Sequence, residues 1–277
     1  MPSPRDIDTL LKNWVFRPGE VTARLIKARS GREVLQMRID MGIVQMETEL
    51  RPDGLKPNGA ETYYDYLVSE AIQAGDSFRL TQEQCGEADR EFVQYYQRRL
   101  CWLSLREYRR AAHDADHSLA FMDFVHRHSP DEEWTLSHEQ YRPFVLFHRV
   151  QAGALAALQE NGPETAISEI NTGLARFRDL FARYDASEQY ADDELVRRLE
   201  EMRESVRERY EIGRTLDERL VEAVRAEDYE LAAQIRDQIR DQIRNEIRAG
   251  STAKPTAQSG AARTARRRPE ATDGPDR

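Results

Sequence analysis

Leu216-Asp217-Glu218-Arg219-Leu220-Val221-Glu222-Ala223-Val224-Arg225-Ala226-Glu227-Asp228-Tyr229-Glu230-Leu231-Ala232-Ala233-Gln234-Ile235-Arg236-Asp237-Gln238-Ile239 reads as two helices joined by a short acidic turn. Leu216, Leu220 and Val224 recur every four residues, and Asp228 stands where it can cap a second helix that buries Tyr229, Ala232, Ala233, Ile235 and Ile239. The Ala232-Ala233 pair is small enough to let two helices cross closely, and Tyr229 fills the space near the turn. An antiparallel helical hairpin follows. Beyond it the pattern continues with Ile243 and Ile247. A four-residue period drifts by about 40° per repeat on an α-helix, so Ile235, Ile239, Ile243 and Ile247 form a slowly winding stripe longer than the first helix can cover. A second copy of the chain or a partner's hairpin would cover it by coiled-coil-like packing; the alternative cover is the helix of residues 192–211. Asp237 with Arg240 and Asp241 with Arg244 are expected as weak surface pairs.

Upstream the pattern is helical back to about residue 60. Residues 192–211 carry Leu195, Leu199, Met202, Val206 and Tyr210 at spacings of three and four, a stripe narrow enough to pack on one neighbour only. Thr81-Gln82-Glu83-Gln84 is a capping box that opens a helix running through Phe92, Tyr95, Tyr96, Leu100 and Leu103. In the following segment Tyr108, Ala111, Ala115, Ser118 and Leu119 resemble the second helix of a tetratricopeptide repeat, whose small residues let paired helices approach. Ala152, Ala156, Leu158, Ala166, Ile170 and Gly173 are similar to a second, more degenerate copy, with an insertion around Ser129-Pro130-Asp131-Glu132-Glu133. An irregular helical bundle is the alternative.

Residues 21–50 instead show period two. Leu35, Met37, Ile39 and Met41 fall on one face against Gln36, Arg38 and Asp40, and Val44, Met46 and Leu50 fall against Gln45, Glu47 and Glu49. With Gly31 and Gly42 at positions where tight turns favour positive φ, segments 21–29, 33–40 and 43–50 are expected as an antiparallel meander, ended by Arg51-Pro52-Asp53-Gly54. Three strands bury little alone, so the apolar face must rest on a helix or a partner.

The hairpin residues Leu216 to Ile239 resemble the UVR motif, a leucine-spaced helix, an acidic turn with an aromatic, then Ala-Ala-x-Leu/Ile-Arg-Asp-x-Ile, and Glu227 to Ile239 match nearly every position. The resemblance implies a protein-interaction hairpin of the kind found in the excision-repair proteins UvrB and UvrC, in ClpC-type unfoldase regulators and in the McsA activator of protein arginine kinase. It covers about 30 residues, and no helicase phosphate loop, nuclease motif or paired zinc cysteines accompany it. The meander, around Trp14-Val15-Phe16-Arg17-Pro18 and Leu35-Gln36-Met37-Arg38-Ile39-Asp40, is similar to bacterial proteins ending in a UVR motif, which implies no activity.

The expected fold is mostly α, of the α+β type: an N-terminal β meander over 1–58 and a tetratricopeptide-like helical body over 59–187. A charged helix plus hairpin over 188–248 follows, with the motif at about 214–248, and then a disordered basic tail over 249–277. Of 277 residues 39% are hydrophobic and 33% charged, a balance that favours solvent-washed helices over one large core. The net charge of −9 is uneven: residues 249–277 carry +3 and the remainder −12. An acidic body repels nucleic-acid phosphates, so DNA contact falls to the tail alone, through Arg266, Arg267 and Arg268. No apolar run approaches the ~18 residues that span a bilayer, and no leader pattern opens the chain, so a cytoplasmic protein without membrane contact is expected.

His113 and His117 stand at i and i+4 with Asp114 beside them, the spacing that can ligate zinc, although aspartate is one methylene short of the usual general base. The competing reading is two surface histidines on a repeat helix. Cys85 and Cys101 are 16 residues apart on one helix, about 24 Å of rise, and cannot share an ion. With no acid-base pair standing out, the chain is expected to be a non-catalytic adaptor without a cofactor. Its partner would be another protein, either a further UVR-containing protein or a second copy forming a homodimer through the hairpin. The alternative is an accessory factor of nucleotide-excision repair that contacts UvrB or UvrC, and DNA through its tail.

Overall fold

A computed structural model describes residues 7–252 of the chain, except for the side chains of Asp217, Gln242, Ile243 and residues 245–252. The fold is α+β and dominated by helices, with one small antiparallel sheet among the described residues. The chain divides into two compact units, one ending at Thr215 and one beginning at Leu216.

Unit 1 opens with a short helix α1 (Asp8–Asn13) and the strands β1 (Thr22–Lys27), β2 (Glu33–Ile39) and β3 (Gly42–Glu47) in the order β1-β2-β3. The expected meander is therefore present. Leu35 pairs with Leu25 on one side and Met46 on the other, and Met37 with Ala23 and Val44. Three expectations about it fail. Ile39 and Met41 turn away from the core, Met41 being 88% exposed in the turn. The face of Gln36 and Arg38 is buried as well, because the segment after α1 folds over it. Arg38 donates to the Trp14 carbonyl at 2.7 Å, Gln36 accepts from Arg24 at 2.8 Å, and the Arg24 guanidinium lies 4.1 Å from the Trp14 ring centre. Gly31 has φ +85°, as a tight turn requires, but Gly42 takes an ordinary negative φ at the start of β3.

The helices follow as α2 (Tyr63–Ala74), α3 (Gln82–Ser104), α4 (Tyr108–His128), α5 (Glu132–Glu139), α6 (Arg142–Glu160), α7 (Pro163–Arg183) and α8 (Glu194–Tyr210). Both halves of the Thr81 capping box form: the Thr81 N–H donates to Gln84 Oε1 at 2.9 Å, and the Gln84 N–H to Thr81 Oγ1 at 3.3 Å. The stretch read as an insertion starts the short helix α5, with Asp131 accepting the Trp134 N–H at 2.8 Å. The sheet's apolar face is covered from within the chain, since Leu35, Met37 and Met46 share a core with Cys101 and Trp102 of α3, Ala111 of α4 and Ala152 of α6.

The main core lies between α4, α6, α7 and α8, around Leu119, Val150, Ile170, Leu174 and Phe177. Only Asn161 and Gly162 link α6 to α7, and their close approach depends on Gly173, where a Cβ would overlap both methyls of Val150. The α8 stripe is wider than its leucine spacing implies. Val196 and Leu199 are both buried, and α8 packs on α6 as well as α7 rather than on one neighbour.

Unit 2 consists of α9 (Leu216–Arg225) and α10 (Tyr229–Thr252), packed on each other. Among the described residues no helix is long and apolar enough to cross a membrane.

Candidate functional site

The hairpin of unit 2 is built on a very small interior. Ala223, Ala232 and Ile235 are buried, and Leu216, Leu220 and Ile239 are half-buried against them. The turn takes Glu227 through φ +56°, and Asp228 Oδ1 then accepts the Leu231 N–H at 3.0 Å, the expected cap. Because α10 has 24 residues and α9 has 10, about 36 Å of helix runs against about 15 Å. The surface pairs Asp237 with Arg240 at 2.9 Å and Asp241 with Arg244 at 3.4 Å are present and exposed.

Three hairpin residues stand differently from the sequence reading. Successive helical residues point about 100° apart, so only one alanine of the pair can face α9: Ala232 does, and Ala233 is exposed. Val224, eight residues beyond Leu216, has drifted off the stripe, and Ala223 takes the inner position. Tyr229 projects outward and is 68% exposed. Val221, Val224, Tyr229 and Leu231 together leave the hairpin with apolar side chains facing solvent. The side chains of Ile243 and Ile247, and Arg266, Arg267 and Arg268 altogether, lie outside the described residues.

In unit 1 the His113-to-His117 segment has a structural employment. His113 is exposed, but His117 is mostly covered: its ring stacks on Tyr95 with centroids 3.7 Å apart and planes at 11°, and its Nε2 lies 3.1 Å from Glu91 Oε1. The reading of two surface histidines is therefore corrected for His117. Asp114, at the general-base position of the zinc reading, is buried and pairs with Arg98. Among the described residues no three His, Cys, Asp or Glu side chains come together in a way that could hold a metal. Cys85 and Cys101 are core thiols, raised by burial to about 11 and about 12.

Around His117 lies a buried charge network that helical periodicity does not reveal. Glu91 is fully buried and accepts the first N–H groups of α2, from Tyr63 at 2.7 Å and Tyr64 at 3.1 Å. A carboxylate at a helix N-terminus satisfies orphan donors and complements the helix dipole. Arg51 reaches Glu91 at 3.5 Å, Glu87 at 3.2 Å and Asp53 at 3.3 Å. The network ties the segment after β3 and the start of α2 to α3 and α4.

The geometry thus defines an α-rich body with a small sheet, followed in the chain by a short antiparallel helical hairpin. Residues 214–249 match the family model of the UvrB/uvrC motif, so the chain carries that motif over the hairpin. The match suggests an interaction of the UvrB/UvrC type and is compatible with a protein-binding or repair-related role. No curated protein and no solved structure matches the chain.

Proposed function

We propose that the protein is a non-catalytic adaptor that binds another protein through its C-terminal hairpin, with the helical body as a second protein-binding surface. The observation that carries this reading is the imbalance of the hairpin. Three buried side chains hold it together, while Val221, Val224, Tyr229 and Leu231 stay in water and α10 outruns α9. Interaction helices expose apolar residues in this way because a partner removes them from water. The match to the UvrB/uvrC motif supports a hairpin of the same kind as the occupant, whether on another protein or on a second copy.

The test is affinity capture with the full chain and with a chain lacking residues 214–248, together with sedimentation of both. Loss of partners or of self-association on deletion is expected; a deleted chain that retains every partner refutes the role of the hairpin.

The charge division of the sequence favours one second reading, an accessory factor of excision repair that contacts DNA through the basic tail. It requires DNA binding that weakens steeply with salt and disappears on truncation after Gly250.

A further inference from the structure

Unit 1 contains a feature that the adaptor reading leaves unused. A cavity of about 640 Å³ lies among α3, α4, α5 and the start of α6, walled by Phe92, Tyr96, Tyr141 and Phe144, with Arg99 and Ser118 among its polar groups and Asp89 at the same wall. Its size and mostly apolar, aromatic wall with few polar groups are those of small-molecule sites. Arg99 is the anomaly.

It is 1% exposed, and its guanidinium makes one hydrogen bond, from Nη1 to Ser118 Oγ at 3.1 Å, while Nε has no partner. No carboxylate pairs with it among the described residues. Every other buried arginine of the unit is compensated: Arg98 by Asp114, Arg142 by Glu139 and Asp123, Arg51 by three acids, and Arg38 by backbone carbonyls. Burial of a cation without a counter-ion is unfavourable, and proteins rarely retain one without a use. Burial lowers the Arg99 guanidinium to about 10, which still leaves it charged at neutral pH. The Tyr96 ring, 5.7 Å from its Cζ, and the more distant Asp114 carboxylate, whose oxygens are both taken by Arg98, give the cation partial support but no direct partner. A second nitrogen in the same neighbourhood, His148 Nδ1, is also buried without a partner, its ring 4.2 Å from that of Phe144.

We propose that this cavity binds a small organic monoanion, a carboxylate carried on an aromatic or branched apolar body. The carboxylate pairs with Arg99, and the apolar body lies between Phe92, Tyr96, Tyr141 and Phe144. A single negative charge fits better than a phosphate dianion. One cation is available, and Asp89 at the same cavity is a carboxylate held by His138 Nε2 at 2.9 Å and Trp134 Nε1 at 3.1 Å.

The experiment titrates the full chain by calorimetry with 3-phenylpropanoate, with 3-phenylpropanamide and with inorganic phosphate. The acid is expected to bind, the amide to bind roughly tenfold more weakly or worse, and phosphate not at all, because a charge-assisted hydrogen bond separates acid from amide. Arg99→Met is expected to abolish the preference for acid over amide while the thermal midpoint of the free protein holds or rises. Ser137→Trp, at an exposed position of the cavity wall, is expected to block the acid with the fold intact. Equal binding of acid and amide overturns the proposal, as does the absence of binding by any probe. A lowered midpoint in Arg99→Met together with undiminished acid binding in Ser137→Trp overturns it too. A hexapeptide ending in phenylalanine that binds more tightly than the free acid reassigns the cavity to a protein segment and likewise overturns it.

Discussion

Arg98 and Asp114 meet between α3 and α4 in a two-point ion pair, Nε to Oδ2 at 2.9 Å and Nη2 to Oδ1 at 2.7 Å, with both side chains 2% exposed. The remaining donor of Arg98, Nη1, reaches the carbonyls of Glu47 at 3.1 Å and Leu50 at 2.8 Å, and the Tyr95 hydroxyl donates to the same Leu50 carbonyl at 3.0 Å. Leu50 sits at φ +53°, a left-handed conformation that a leucine holds only where its surroundings impose it. The pair therefore transmits the packing of two helices to the turn that leaves the sheet.

Replacing Asp114 with alanine leaves Arg98 buried and half satisfied. The expected loss is about 3–5 kcal/mol in denaturant unfolding, the usual consequence of removing one member of a buried pair. A double variant, Arg98→Met with Asp114→Leu, is expected to recover much of that loss, but not all of it, because the Leu50 carbonyl then loses a donor. Additive effects of the two single changes would show that the side chains are not coupled.

The contact of α6 with α7 makes a sharper steric prediction. Gly173→Ala puts a methyl into both methyls of Val150 and should lower stability by about 1–3 kcal/mol; Val150→Ala in the same chain relieves the methyl overlap but leaves the Val150 Cβ 2.9 Å from the new methyl, so recovery should be partial. Gly86 provides the opposite case on α3. It is exposed, helical and has open space where a Cβ would stand, so Gly86→Ala is expected to stabilise by about 0.5–1 kcal/mol. Thermal melts of the two variants should therefore shift in opposite directions.

What the sequence discloses about this fold is mainly what is local. The strand order of the meander, the Thr81 capping box and the Asp228 cap each depend on spacings of two to four residues, and each forms where its spacing places it, although the facing of Ile39 and Met41 does not follow. The buried charges are not local. Glu91, Arg98 and Arg99 look like the solvated side of α3 until α2, α4 and the segment after β3 supply partners 16 to 51 residues away. In the hairpin the order of the helices is legible, but the phase of each residue is not. A stripe at Leu216, Leu220 and Ala223 follows the helix more closely than one ending at Val224, and adjacent alanines cannot share a face.

His148 supplies a pH prediction. Burial, reinforced by the positive charge of Arg99, lowers its imidazole from 6.5 to about 4. The unfolded chain therefore takes up a proton near pH 6.5 that the folded chain refuses until about pH 4, and stability is lost as pH falls through that window. The loss attributable to this residue is roughly 3 kcal/mol. Other groups titrate over the same range, so the informative quantity is a difference. His148→Asn should show a shallower decline in unfolding free energy between pH 7 and pH 4.5 than the unaltered chain, and parallel curves would exclude this residue as the source.

The two alanines of the hairpin separate folding from binding. Ala232→Glu would force a carboxylate into the apolar interior formed with Ala223 and Ile235, and should open the hairpin at a cost of several kcal/mol. Ala233→Glu, one residue on, places the same group in water and should leave the hairpin closed. Hydrogen exchange of the α9 and α10 amides in the full chain distinguishes them: fast exchange in the first, native protection in the second. Tyr229→Ala belongs with the second in folding, because its ring is exposed, yet under the adaptor reading it should weaken capture of the partner. Native protection with undiminished capture in Tyr229→Ala would move the contact surface away from the turn and onto the part of α10 that runs beyond α9.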